Sequence, residues 1–240
     1  MNKSFNHIEV ELPKLERETI DGVRYYKVPD KEEITKLVSI TSVTSHFNKH
    51  IFVDWRKRVG EEKANAITKN STTRGTYMHL ITEHYLKNIL TENYIDDLNI
   101  ENSFKEVSDE LFNTAKPELD NIDNIYSLEG SLYSLLLGIA GTVDCIAEYK
   151  GELAIIDFKT SEKEKPRHWI DHYFVQAAAY AVMFYELTNI PVKKLVIIMS
   201  CANGKCVVFE EYNIKKYVNL LVKYIKKFVN DKVKEYESRK

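Results

Sequence analysis

The dipeptide Lys150-Gly151 separates two apolar runs, and a two-residue turn there dictates which residues of those runs face one another. Tyr149 then pairs with Glu152, and counting outward sets Asp144 opposite Asp157 and Thr142 opposite Lys159. Residues two apart on a strand share a face, so Asp144, Asp157 and Lys159 are expected to project the same way. Asp157 follows Leu153-Ala154-Ile155-Ile156 and Asp144 follows Ile139-Ala140-Gly141-Thr142-Val143, so both acids interrupt segments that read as buried on two faces. Two ionised carboxylates facing each other there repel and lose hydration, which costs several kcal/mol unless a cation holds them. The pattern predicts a divalent-cation site with a lysine beside it. The competing reading is a structural Asp-Lys ion pair in an ordinary hairpin.

These residues carry a resemblance. Gly141-Thr142-Val143-Asp144, then Ile156-Asp157-Phe158-Lys159-Thr160-Ser161, then Gln176 and Tyr180 resemble, in order and spacing, the GxxD, (D/E)xK and QxxxY motifs of RecB-type nucleases in the PD-(D/E)XK superfamily. Upstream, Arg74-Gly75-Thr76-Tyr77-Met78-His79 is similar to the G-x-x-x-H element of that family, so the motifs span residues 74 to 180. Ile40-Thr41-Ser42-Val43-Thr44 is similar to mitochondrial genome-maintenance exonucleases and their viral relatives, although such a stretch is also an ordinary helix-capping sequence.

The resemblance implies a restriction-endonuclease-like α/β core, a mixed β-sheet flanked by helices. It implies Asp144, Asp157 and Lys159 as catalytic residues, and His79, Asp144, Asp157 and the main-chain carbonyl of Phe158 as ligands of Mg2+ or Mn2+. Arg74, Thr160, Gln176 and Tyr180 would meet substrate near the scissile phosphate. The implied activity is metal-dependent hydrolysis of DNA, as an exonuclease on single strands in replication, repair or recombination. Two other readings stay open: a catalytically retired nuclease fold serving as a nucleic-acid-binding adaptor, and a metal-dependent hydrolase of small phosphate esters. Some RecB-type relatives hold an iron-sulfur cluster with four cysteines. This chain has three, Cys145, Cys201 and Cys206, none of them upstream of the motifs, so no cluster is expected.

Individual positions carry further expectations. Glu83 falls one turn after His79 on the same helix face and is a candidate partner for its imidazole, whereas His84 differs in helical phase by about 140 degrees. Glu129, upstream of the GxxD strand, is a further candidate for the metal shell. Gln176 and Tyr180 are four apart on one side of a helix, with the tyrosine ring expected in the core and its hydroxyl wet.

A net charge of −2 argues against nucleic-acid binding until its distribution is considered. Residues 91 to 129 hold eleven acids against two lysines, while residues 214 to 240 hold nine Lys or Arg against three acids. One face can therefore attract a polyanion while another repels it, unless each run is merely a solvated helix face. The length of 240 residues fits one domain, no apolar run approaches the roughly 20 residues that span a bilayer, and the start lacks a signal-peptide core. Too few cysteines for a disulfide framework suggest a reducing compartment. The cytoplasm of a bacterium or a virus-infected host is expected rather than the mitochondrial matrix.

The expected architecture is a single nuclease domain over 1–240: an N-terminal extension (1–50) with a hairpin, a helical region (51–125) carrying His79, and the core with a C-terminal helix (126–240). His7 to Leu12 and Val23 to Val28 read as the hairpin strands around Asp21-Gly22. Phe52 to Asn70 and Arg74 to Leu90 read as two helices broken at Ser71-Thr72-Thr73, and Pro117 is expected to interrupt the acidic helical stretch. Three strands (Tyr126–Leu137, Gly141–Tyr149, Glu152–Thr160), a helix over His168–Leu187, two strands joined at Asn203-Gly204 and a helix from Ile214 complete the reading.

Overall fold

Lys150 and Gly151 both adopt left-handed backbone, with φ of 53° and 79°, the turn that lets two strands continue with their natural twist. The computed structural model containing this turn describes residues 3–30 and 33–239. Its first half comprises β1 (Glu16–Ile20), β2 (Val23–Asp30), β3 (Glu33–Ser39), α1 (Ile40–Phe47), α2 (Lys49–Val59), α3 (Glu61–Leu86), α4 (Tyr94–Asp97) and α5 (Lys105–Leu119). Its second half comprises β4 (Ile122–Ser134), β5 (Ile139–Tyr149), β6 (Glu152–Ser161), α6 (Asp171–Thr188), β7 (Lys194–Cys201), β8 (Lys205–Glu211) and α7 (Ile214–Glu237).

The eight strands form one mixed sheet in the order β1-β2-β3-β5-β6-β7-β8, with β4 paired to β5. β3 runs parallel to β5 and β6 parallel to β7, and the other neighbours are antiparallel. On one face Ile155, Leu195, Ile197 and Met199 pack with Phe174 and Val175 of α6 and Leu221 of α7. On the other, Ile156, Val196 and Ile198 pack with Met78 and Ile81 of α3 and Leu111 of α5. This is the expected α/β class, a mixed sheet covered by helices. No helix among the described residues is long and apolar enough to cross a membrane.

β5 is shared unequally between its neighbours. β4 pairs with it from Ile139 to Tyr149, while the opposite edge is taken by β3 at Ile139 and Ala140 and by β6 from Cys145 to Tyr149. Gly141 to Asp144 therefore lie in a fork. The expected register holds out to Cys145 opposite Ile156 and stops there. The expected pairings of Asp144 with Asp157 and of Thr142 with Lys159 are not in the ladder: beyond Ile156 β6 diverges from β5 and continues along β7 on its other edge, Asp157 opposite Ile197 and Lys159 opposite Met199. Helices fill the fork: a Cβ on Gly141 would lie 2.8 Å from Tyr180 Cε1 and 3.0 Å from Ile40 Cγ2. Gly141→Ala is therefore expected to cost ~1–3 kcal/mol through overpacking, read as a lower melting temperature. Gly75→Ala, whose Cβ would meet only Thr160 Oγ1 at 3.7 Å, should melt at or above the parent because it also improves helix propensity.

Several local expectations are corrected. The turn at Asp21-Gly22 joins β1 to β2, and His7–Leu12 forms no strand, only a bridge from His7 to Ile125. Side-chain bonds hold that segment instead, His7 Nε2 lying 2.9 Å from Leu86 O, and its alternation is satisfied by packing Val10 and Leu12 against the core. The hairpin is not outside the core either, since β2 leads through β3 into the main sheet. The helix break falls at Gly60, φ 91°, and not at Ser71-Thr72-Thr73. Hydroxyls inside α3 bond back along the helix, as Thr76 Oγ1 does to Thr72 O at 3.0 Å, so they do not stop it. Pro117 sits inside the last turn of α5, where a lost amide bond matters least.

Candidate active site

At the fork, the Phe158 amide, leaving the β5 ladder, donates to Asp144 Oδ2 at 2.9 Å. That bond fixes one carboxylate at the fork's mouth. Asp157 is buried, with Oδ2 2.5 Å from Lys159 Nζ and Oδ1 without a hydrogen-bond partner. From α3, His79 Nε2 lies 2.9 Å from the Phe158 carbonyl oxygen, which Lys159 Nζ also approaches at 3.4 Å. His79 Nδ1 points the other way, 3.8 Å from Asp144 Oδ2 and 3.9 Å from Glu129 Oε1. Asp144, Asp157, Lys159, His79 and the Phe158 carbonyl are thus brought together.

The charges are mutually dependent. Burial pulls the His79 imidazole down, but Asp144 and Glu129 outweigh it and raise its pKa from 6.5 to about 8. Burial pushes the Asp157 carboxyl above the ordinary aspartate range, with Lys159 opposing and the Asp144 charge reinforcing the rise. Burial would lower the Lys159 ammonium, yet Asp157 and Asp144 hold it above its usual value. His79, Glu129 and Asp144 present ligand atoms within 4.8 Å of one another, beside an Asp157 carboxylate whose buried Oδ1 has no hydrogen-bond partner, and this donor set fits a hard divalent cation, Mn2+ included because of the imidazole.

This arrangement carries a pH dependence of known sign. With both folded pKa values raised, protonated His79 and Asp157 favour the metal-free fold. Their contribution is complete at pH values below their unfolded pKa values and is lost as pH rises through about 8 for His79. Protons also compete with a cation for the same atoms. The gain in melting temperature on adding Mn2+ over EDTA should therefore widen between about pH 6 and about pH 8.5. A gain that is flat or shrinks over that range would contradict the arrangement.

The remaining expected residues are placed differently. Arg74 is buried and ion-paired with Glu162, not a lone exposed arginine. Thr160 lies under α3 beside Gly75. Gln176 Nε2 donates to Tyr180 Oη at 3.2 Å, and Tyr180 is buried against Gly141, so its hydroxyl is not wet as expected. Glu83 pairs with Lys87 at 2.5 Å, the lysine one turn on having captured it, and His84 is not in the cluster. Glu129 is in it. The His172-Tyr173 pair was not anticipated: the Tyr173 ring centroid is 5.2 Å from Lys159 Nζ, and its hydroxyl accepts from Lys165 Nζ at 2.9 Å. Burial, with Lys165 and Lys159 nearby, lowers His172 to about 4 and keeps it neutral. The only sequence signal for this pair is its spacing one turn before Gln176 on α6.

The family model described as the PD-(D/E)XK nuclease superfamily matches residues 53–216. The chain is similar to mitochondrial genome maintenance exonuclease 1 of Homo sapiens, 30% identical over 116 residues that cover 47% of this chain and 32% of that protein. It is 27% identical to the Mus musculus protein of that name over 149 residues, 58% of this chain and 41% of that one. With the Xenopus tropicalis protein of that name it shares 45% identity over 64 residues, 26% of this chain and 18% of that one. The chain thus spans less than half the length of these curated relatives.

Proposed function

Since the chain belongs to the PD-(D/E)XK nuclease superfamily, we propose that it is a metal-dependent deoxyribonuclease, an exonuclease on single-stranded DNA that serves replication, repair or recombination. The observation that carries this reading is the convergence of His79, Asp144, Asp157 and Lys159 on the Phe158 main chain at the fork of the sheet. His79, Asp144, Asp157 and the Phe158 carbonyl would hold Mg2+ or Mn2+. Such an ion, when bound, polarises a phosphoryl oxygen and makes a water more acidic.

The chain's own residues supply the rest. Lys159, partly exposed and cationic between Asp157 and the Tyr173 ring, orients the attacking water or stabilises the charge that develops on the phosphoryl oxygens. A water O–P bond forms, the P–O bond to the leaving strand breaks, and a proton passes to the leaving oxygen. The Phe158 amide keeps Asp144 in place. Thr160 and Gln176 would contact the strand near the scissile phosphate, with Tyr180 holding Gln176 from beneath, whereas Arg74, buried against Glu162, would reach a phosphate only by exchanging that partner.

Preference for single strands is supported by α2, which buries none of its residues and carries the Phe52 and Trp55 rings 5.4 Å apart, with Arg56 over Phe52 at 5.6 Å. Exposed aromatics among cations stack unpaired bases. Exonucleolytic action is supported by the activity named in the matched relatives. Three free cysteines fit a reducing compartment, such as bacterial or virus-infected host cytoplasm.

Incubation with single- and double-stranded DNA labelled at one end, with Mg2+, Mn2+ or EDTA, tests the reading. Metal-dependent shortening of the single strand from one end is the expected result. Absence of cleavage on both substrates, with DNA binding retained, would replace it with the adaptor.

A further inference from the structure

The three carboxylates Glu129, Asp144 and Asp157 occupy one row across β4, β5 and β6. Leu128 pairs with Cys145 and Gly130 with Val143, which sets Glu129 beside Asp144, and Cys145 pairs with Ile156, which sets Asp144 beside Asp157. Yet Glu129 takes no part in the ladder. Its backbone is left-handed, φ 50°, a conformation that a non-glycine residue adopts at a cost and that is out of place within a strand. The next residue is also tightly placed: a Cβ on Gly130 would lie 2.0 Å from Ser127 Oγ, so that hydroxyl would have to turn away to admit any other residue. The excursion carries the Glu129 carboxylate to His79 Nδ1, and ligand atoms of His79, Glu129 and Asp144 all lie within 4.8 Å of one another.

Nothing among the described residues neutralises Glu129 in the manner of an ordinary surface acid, since its recorded ionic partner is His79, itself shared with Asp144. Asp157, by contrast, is matched by Lys159 and stands outside that three-residue group. Its neighbouring buried oxygen, Oδ1, has no hydrogen-bond partner. The row is therefore richer in carboxylate than in protein cations. The Glu129 side chain remains 37% exposed, so the carboxylate is open to solvent.

We propose that Glu129 supplies a third carboxylate ligand to the divalent-cation site, so that the ion is held from three adjacent strands and α3. The proposal rests on the metal-dependent reading given above. It explains why a strand beside the catalytic hairpin tolerates a left-handed glutamate: the ligand is placed by the backbone, not by a rotamer.

The test reads the metal directly. Mn2+ affinity is measured by calorimetry for the parent and Glu129→Gln, and Co2+ absorption is recorded for the parent and Glu129→Cys. Glu129→Gln should lose about tenfold or more in Mn2+ affinity while remaining folded without metal at the temperature of the titration. Glu129→Cys should show a thiolate-to-Co2+ charge-transfer band that the parent lacks. Parent-like Mn2+ affinity in Glu129→Gln would overturn the proposal, as would a Cys variant that binds Co2+ without the band. Should the Cys variant fail to fold, Glu129→Gly, which relieves the left-handed backbone, takes its place in the affinity comparison with the same expected loss and the same overturning result. A parent that binds neither ion would sink the metal-dependent reading itself, which is a separate outcome.

Discussion

Lys159→Ala should bind Mn2+ and DNA as the parent does while its turnover falls by roughly 10²–10³-fold or more. The ammonium is 2.5 Å from Asp157 and contributes no ligand atom to a cation. Removing it frees the Asp157 carboxylate, so Mn2+ affinity should be retained or improve. What is lost is a fixed positive charge in a site that is largely closed to water, where such a charge acts most strongly on a developing negative one. Calorimetry with Mn2+ and single-turnover cleavage of an end-labelled strand separate the two properties. Parent-like turnover would remove Lys159 from the chemistry and leave a structural ion pair in its place.

Asp157→Ala should behave in the opposite way, losing Mn2+ binding and cleavage together. Its carboxylate is buried, with one oxygen unpartnered, so it has no structural hydrogen bond to give up other than its pairing with Lys159. Deleting it leaves the partly exposed ammonium of Lys159 without its carboxylate, so some loss of stability is expected as well. The measurement therefore needs a fold control, and far-ultraviolet circular dichroism at low temperature supplies one. A folded Asp157→Ala that still cleaves with Mg2+ would show that Asp144 and His79 suffice. The contrast between the two variants is the discriminating result: one uncouples metal from turnover, and the other does not.

The hairpin was legible because its evidence is local. A turn of two residues and two apolar runs suffice to set Tyr149 against Glu152, and the register follows out to Cys145. The fork was not legible, since it depends on where β3, more than a hundred residues upstream, docks on β5. Tyr180 was expected to keep a wet hydroxyl because periodicity places it on the Gln176 face, but periodicity cannot show that Gly141 opens a space its ring must fill. Glu83 failed for a simple reason: helix geometry offered it His79 and Lys87, and the flexible cation one turn on won. His79 itself stood out only through motif resemblance, as nothing in helix α3 marks it. Glu129 was the hardest to read. A left-handed residue inside a strand breaks the alternation on which strand reading depends, and the Glu-Gly dipeptide is its faint trace.

The fork also divides the sheet into units of unequal cohesion. Only two residue pairs, Val38 with Ile139 and Ser39 with Ala140, join the β1–β3 meander to β5, whereas β6 and β7 share eight. The Tyr26–Thr142 hydrogen bond at 3.1 Å, the packing of Ile40 on Gly141 and a small cluster of Tyr26, Val28 and Leu37 on Ala140 add to the attachment. Local opening follows the weakest seam, so the meander forms a foldon that can lift away at a free energy below that of global unfolding. Its departure would extend the open edge of β5 from the fork back through Ile139 and Ala140, and the amides there would exchange with solvent before those of β6 and β7. The half of the sheet that carries Lys159 is thus the durable half, and the wall across the fork from it is the part that breathes.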